Sequence, residues 1–274
     1  MKKKLLLFVL VLSLILTPAL SYAGSTQTLI NANNEIGISY NLLSRYFTEV
    51  IGSDEITDSP GIGLSITALG NILTVPLVYE HIGYTNEYGK NTIIKTDILG
   101  MSARVGKAFI INQRTMIIPY LAYNYEKWDR NVSNAFVFGT EFFFNKLSYQ
   151  DIYSYDALGV GVIGEYAITN TLVLKGRFQY SRMLNDNMTV YGAPTFFRFV
   201  ISPTLPVLNV IAKLPPMSFN SENNPIYTIG AGVDYDIYGP LHIIAGIKYL
   251  RTSFGQTNIN TSDINYSLGL AYSF

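Results

Sequence analysis

The 274-residue sequence has no cysteine and a single tryptophan. Disulfides and thiolate metal sites are therefore excluded, and its 2 histidines give no ordinary metal-ligand spacing. No cofactor or metal is expected. Charge is sparse at 14% of the chain, and balanced at 19 basic and 19 acidic residues. Beyond the N-terminus there is also no long uninterrupted apolar run. The most apolar later stretch, Phe199 to Leu214, is broken by Pro203 and Pro206 and followed by Pro215 and Pro216. A spanning helix needs roughly 20 apolar residues without such breaks. Yet 49% of the chain is hydrophobic, so its apolar surface must be laid out in another form.

The N-terminus has the layout of a secretory signal peptide. Lys2, Lys3 and Lys4 form a basic region, Leu5 to Leu16 an apolar one, and Ser21-Tyr22-Ala23 supplies small residues for cleavage. Residues 1–23 are read as this signal and 24–274 as a single domain. Without the 3 lysines, 16 basic residues face 19 acidic ones. That balance gives no basis for binding nucleic acid.

What recurs through the mature chain is alternation with period two. In the last segment Ile264, Tyr266, Leu268, Leu270, Tyr272 and Phe274 oppose Asp263, Asn265, Ser267, Gly269, Ala271 and Ser273. Leu99, Met101, Ala103 and Val105 oppose Gly100, Ser102, Arg104 and Gly106; Leu172, Leu174, Phe178 and Tyr180 oppose Lys175, Arg177, Gln179 and Ser181. Another such segment starts at Tyr227, and the rest fall near 34–48, 61–69, 72–85, 115–128, 156–168 and 241–253. Ten segments result, with eight or twelve strands as the alternatives.

Connections alternate in length. Gly70-Asn71, Asn112 to Arg114, Thr169-Asn170 and Tyr238-Gly239-Pro240 read as tight turns. The others are longer, above all 129–155 and 183–225. Short turns on one side and long loops on the other characterise an up-and-down antiparallel transmembrane β-barrel with both termini in the periplasm. In hydrocarbon every backbone group needs a partner, so such a sheet must close on itself. The abundant aromatics, 21 tyrosines among them, suit the girdles at the two membrane interfaces.

The end of the chain, Ser267-Leu268-Gly269-Leu270-Ala271-Tyr272-Ser273-Phe274, resembles the C-terminal signature of Gram-negative outer-membrane β-barrel proteins. The resemblance implies outer-membrane residence, with lipid and lipopolysaccharide as surroundings. It also implies recognition by the barrel-assembly machinery through Gly269, Leu270, Tyr272 and Phe274.

Parity assigns a charge network to the lumen: Arg45, Arg104, Lys175, Arg177 and Lys248 against Glu80, Glu126, Glu165, Asp234 and Asp236. Five of each sign favour a cross-linked, closed interior over a charge-selective pore. With turns at 168–170 and 238–240, Gly161 is expected opposite Arg177, Gly230 opposite Lys248, and Asp236 in an ion pair with His242.

Catalytic signals are weak. A barrel of this size resembles omptin proteases in strand count, and that resemblance implies an Asp-x-His arrangement. Tyr79 and Pro240 stand two positions before His81 and His242, so the pattern is absent. Parity places His81 on the lipid face, the position a lipid-acting histidine would need. No Gly-x-Ser-x-Gly elbow occurs. The apolar 183–225 segment is expected to pack inward or on the rim, with strand extension or an adhesive surface as alternatives. These features favour a non-enzymatic barrel for envelope integrity or surface interaction, with an unidentified external ligand. A narrow porin-like channel and a lipid-acting enzyme are the alternatives.

Overall fold

The computed structural model describes residues 26–48, 56–57, 61–69, 77–85, 93–135, 147–191, 194–199, 208–213, 216–219, 224–254 and 259–274. The signal-peptide region lies outside these residues. A short helix, α1 (Thr26–Asn31), precedes β1 (Glu35–Thr48), the two-residue β2 (Ile56–Thr57), β3 (Gly61–Leu69), β4 (Leu77–Thr85) and β5 (Ile93–Gly106). Next come β6 (Phe109–Asn112), β7 (Thr115–Ala135), β8 (Leu147–Ala167) and β9 (Leu172–Tyr191). The last elements are β10 (Pro194–Phe199), β11 (Leu208–Lys213), β12 (Met217–Phe219), β13 (Pro225–Tyr238), β14 (Leu241–Phe254) and β15 (Ile259–Ser273).

Ten of these strands form a closed antiparallel circuit. Going round it, β1 pairs with β3, β3 with β4, β4 with β5, β5 with β7, β7 with β8 and β8 with β9. From there β9 pairs with β13, β13 with β14, β14 with β15, and β15 with β1. Each of the ten has a partner on both sides, which is the all-β up-and-down barrel the alternation implies. At the closing seam Gly269 lies opposite Ser39. A Cβ there would sit 2.8 Å from Ser39 Cα and collide with Ile38 O, so glycine permits the close approach. Leu270, Tyr272 and Phe274 point outward and are exposed.

The exterior is apolar. Ile36, Ile38, Leu64, Ile66, Leu121, Val160, Phe178, Ile229, Leu268 and Leu270 are all exposed although large and hydrophobic. A continuous apolar exterior of this kind is stable in hydrocarbon and not in water. The barrel is of the outer-membrane type, and this belt accounts for its place in the bacterial outer membrane. Among the described residues no helix is long and apolar enough to cross a membrane.

Two turns are as tight as the sequence suggests, and a third is wider. Asn112 pairs with Thr115 across Gln113-Arg114, and Tyr238 pairs with Leu241 across Gly239-Pro240. Gly239 has φ 56°, a left-handed conformation that glycine adopts without strain. Ala167 pairs with Val173, so the third turn is slightly wider and centred on Asn170. Leu69, by contrast, pairs with Tyr79. That register is incompatible with a two-residue turn at Gly70-Asn71, which itself lies outside the described residues.

The longest corrections concern the outer side. Residues 129–135 and 147–155, read as loop, continue β7 and β8, and β9 runs on to Tyr191. β7 and β8 are each 21 residues long and β9 is 20. About 9–11 tilted residues cross a bilayer, so roughly half of each strand projects beyond it. Part of 183–225 therefore extends the barrel instead of packing inward. β12 also pairs with β9, while β10 and β11 form a separate hairpin.

Candidate functional site in the barrel lumen

Inward side chains build the site, and it has three levels. At the periplasmic floor, α1 sits against the inside of β7, β8 and β9. Leu29 is fully buried in a cluster with Ala32, Ala108, Met116, Ile118, Ala167 and Val173. Asn33 and Asn34 donate from Nδ2 to Leu29 O (2.9 Å) and Ile30 O (3.0 Å), satisfying carbonyls that a helix end leaves free. Thr28 Oγ1 donates to Asn170 O at 3.0 Å, and Asn33 Nδ2 to Glu165 Oε2 at 2.5 Å. Sequence reasoning missed this helix, because its six residues are too few to show a helical period.

Just above it, Lys175 Nζ donates to Ala32 O at 2.5 Å and to Asp234 at 2.9 Å, and lies 3.6 Å from Glu35. Asp234 Oδ1 also meets His242 Nδ1 at 2.8 Å, while His242 Nε2 meets Ser273 Oγ at 3.1 Å. The expected partner of His242 was Asp236, which does lie opposite it in register. The imidazole instead bonds Asp234, two residues deeper on the same face and already fixed by Lys175. Glu35, Asp234 and His242 have donor atoms within 4.8 Å of one another, a spacing that would suit a cation. The Lys175 ammonium already serves both carboxylates. The Ser273–His242–Asp234 chain has the connectivity of a nucleophilic triad. Ser273, however, is the penultimate residue, 9% exposed, and its backbone N–H donates to Pro240 O. It ties the C-terminal strand to the turn beside it.

The waist is basic. A cavity of about 340 Å³ is lined, among the described residues, by Arg45, Arg104, Lys175, Arg177 and Lys248 and by three acids, Glu35, Glu126 and Asp263. Arg45 is held by Asp263 at 2.8 and 2.5 Å and by Glu126 at 3.0 Å, and its guanidinium lies 4.1 Å from the Trp128 ring centroid. Asp263, which parity displays plainly on the inner face, was omitted from the expected network. Arg104 lies 5.3 Å from the Tyr120 ring centroid. Gly230 stands opposite both Lys248 and Arg177, so the missing side chain leaves room for two long ones. Gly161 faces Gln179 and not Arg177, because the turn is centred on Asn170. It accommodates the Tyr120 ring: a Cβ would lie 2.5 Å from the hydroxyl, which itself donates to Gln179 at 3.1 Å.

The outer end is apolar again. Leu43, Ile98, Trp128, Tyr153, Tyr155, Ala157, Met183, Met188 and Ile226 form a buried cluster. Tyr155 donates to Glu126 at 3.3 Å, and Trp128 Nε1 donates to the same carboxylate. Above it, Arg130 pairs with Asp151 at 2.5 Å.

Of the ten lumen charges expected, Arg45, Arg104, Glu126, Glu165, Lys175, Arg177, Asp234, Asp236 and Lys248 occupy the inner face. In register Glu80 pairs with Ala103 and His81 with Ser102. The side chains of Glu80 and His81 lie outside the described residues.

No protein-family model matches the chain, and no curated protein sequence matches it. Solved structures do. The outer-membrane protease OmpT from Escherichia coli aligns with TM-score 0.51 at 10% identity, over 89% of this chain and 97% of that one. The translocator domain of the autotransporter NalP from Neisseria meningitidis aligns at 0.42 and 12%, over 93% and 91%. The β-domain of the Bordetella autotransporter BrkA aligns at 0.42 and 14%, over 88% and 100%. At such identities the likeness to OmpT concerns the fold alone.

Proposed function

We propose that this chain is a non-enzymatic, closed outer-membrane scaffold that serves envelope integrity or surface interaction through its external strands and loops. The observation that carries this reading is α1. Leu29 is buried in the periplasmic mouth, and the helix is held by Thr28, Asn33 and Lys175. A second apolar cluster around Trp128 and Tyr153 stands across the outer end, so apolar clusters stand at both ends of the polar cavity. The elements with most outward reach are β7, β8 and β9, whose long projections give a rigid platform for contact outside the membrane.

The test is single-channel conductance of the refolded mature protein, with folding verified by its gel-mobility shift with and without boiling. Folded protein that passes no current agrees with a closed scaffold. Steady, reproducible openings would overturn it in favour of a narrow solute channel.

A further inference from the structure

Among the described residues, the waist of the lumen gathers Arg45, Arg104, Arg177 and Lys248 with two acids, Glu126 and Asp263. Both acids are committed to Arg45. Arg177 and Lys248 flank Gly230 in one row across β9, β13 and β14. Neither has an ion pair among the described residues, and Arg177 Nε is buried without a hydrogen-bond acceptor. In the ten-strand circuit β5 stands opposite β14, so Arg104 enters the same cavity from the far wall. Lys248 feels Arg177 and Arg104 as like charges and Glu126 and Asp263 as opposite ones.

Like charges gathered in a partly dehydrated space repel, and an unpaired buried donor is costly. A small anion removes both penalties. The cavity volume of about 340 Å³ is ample for a tetrahedral oxyanion with some hydration. Guanidinium and ammonium groups are the usual partners of phosphate oxygens.

We propose that the waist of this barrel is a binding site for a small multivalent oxyanion of the phosphate class, held by Arg177 and Lys248 with Arg104 on the opposite wall. With α1 in the floor, the anion enters while the barrel folds and exchanges slowly afterwards. The site does not depend on the scaffold reading: an open channel would have the same cation cluster, with faster exchange.

The experiment refolds the mature chain from urea into phosphate-free detergent with radiolabelled inorganic phosphate, or with chloride at matched ionic strength. Retained phosphate is measured after dialysis, and the mobility-shift midpoint on heating is followed in both salts. The expected result is stoichiometric retention and a higher midpoint in phosphate. Lys248→Met should bind about tenfold more weakly, the loss of one charge-assisted hydrogen bond, and Lys248→Arg should retain binding. Addition of glycerol phosphate during refolding separates the sources: displacement means that the site accepts phosphate esters, and its absence means the inorganic ion. No retention by folded wild-type protein, or equal retention in Lys248→Met and Arg177→Gln, would overturn the proposal. Because both readouts are independent of conductance, a conducting barrel that keeps its phosphate would defeat only the scaffold reading.

Discussion

The floor and the waist of the lumen carry opposite excess charge. The floor gathers Glu35, Glu165 and Asp234 around one lysine, Lys175, and one histidine. Among the described residues, the waist gathers Arg45, Arg104, Arg177 and Lys248 around two acids. Counted along the sequence the interior looks neutral, and that neutrality conceals a separation along the barrel axis. The floor has a scarce cation shared by several acids and by a helix carbonyl. In the waist the scarce groups are the acids, and Arg45 takes both. Removing a cation should therefore have opposite consequences at the two levels.

Lys175→Met should produce the largest effect. It leaves Glu35 and Asp234 buried without their shared cation and frees Ala32 O at the end of α1. Loss of one partner from a buried ionic cluster costs roughly 3–5 kcal/mol. Urea titration of the refolded barrel in lipid vesicles should show that loss. A change below about 1 kcal/mol, the range of surface pairs, would mean that water already solvates the floor.

Leu29→Ala tests the seal itself. Leu29 has no exposed surface, and buried Leu→Ala changes cost about 2–5 kcal/mol. Because α1 is only six residues long, part of that cost falls on the local docking of the helix. The stability loss should lie near the lower end, accompanied by brief current openings absent from wild type. Stability loss without current would leave the outer cluster as the sufficient barrier.

The comparison also shows which features the sequence displays. Strand faces were legible because lipid and lumen impose strict alternation, as in Ile264 to Phe274, and the turn at Gly239-Pro240 was marked by its composition. Strand ends were not. Tyr153 and Tyr155 look like loop aromatics, but they continue the inward row of β8 beyond the bilayer, where Tyr153 packs on Trp128 and Met183. α1 was hidden by its brevity. The partner of His242 depended on side-chain reach: Asp236 is its neighbour in register, yet Asp234 has the deeper position and the lysine. The register of β4 was not legible either, since Leu69 pairs with Tyr79 where Gly70-Asn71 suggests a tight turn.

A smaller effect is expected on the lipid face. Tyr180 and Tyr227 are cross-strand neighbours with ring centroids 5.4 Å apart. Such pairs contribute about 0.5–1.5 kcal/mol beyond their burial. A double-mutant cycle with leucine at each position should return a coupling in that range. Coupling near zero would mean that interfacial lipid replaces one ring's contact with the other.

Lys248→Met in phosphate-free chloride should give the smallest change and the opposite sign to Lys175→Met. Lys248 has like charges for neighbours in Arg177 and Arg104, while the nearby Glu126 and Asp263 are already bound to Arg45. Methionine keeps most of the side-chain volume and removes the repulsion, so stability should stay within about 1 kcal/mol of wild type, on the favourable side. Added phosphate should then reverse the order, raising the wild type above the variant, because only the wild type has the full cation set. If Lys248→Met instead loses as much as Lys175→Met in chloride, then an acid outside the described residues pairs with Lys248, and the axial separation of charge does not hold.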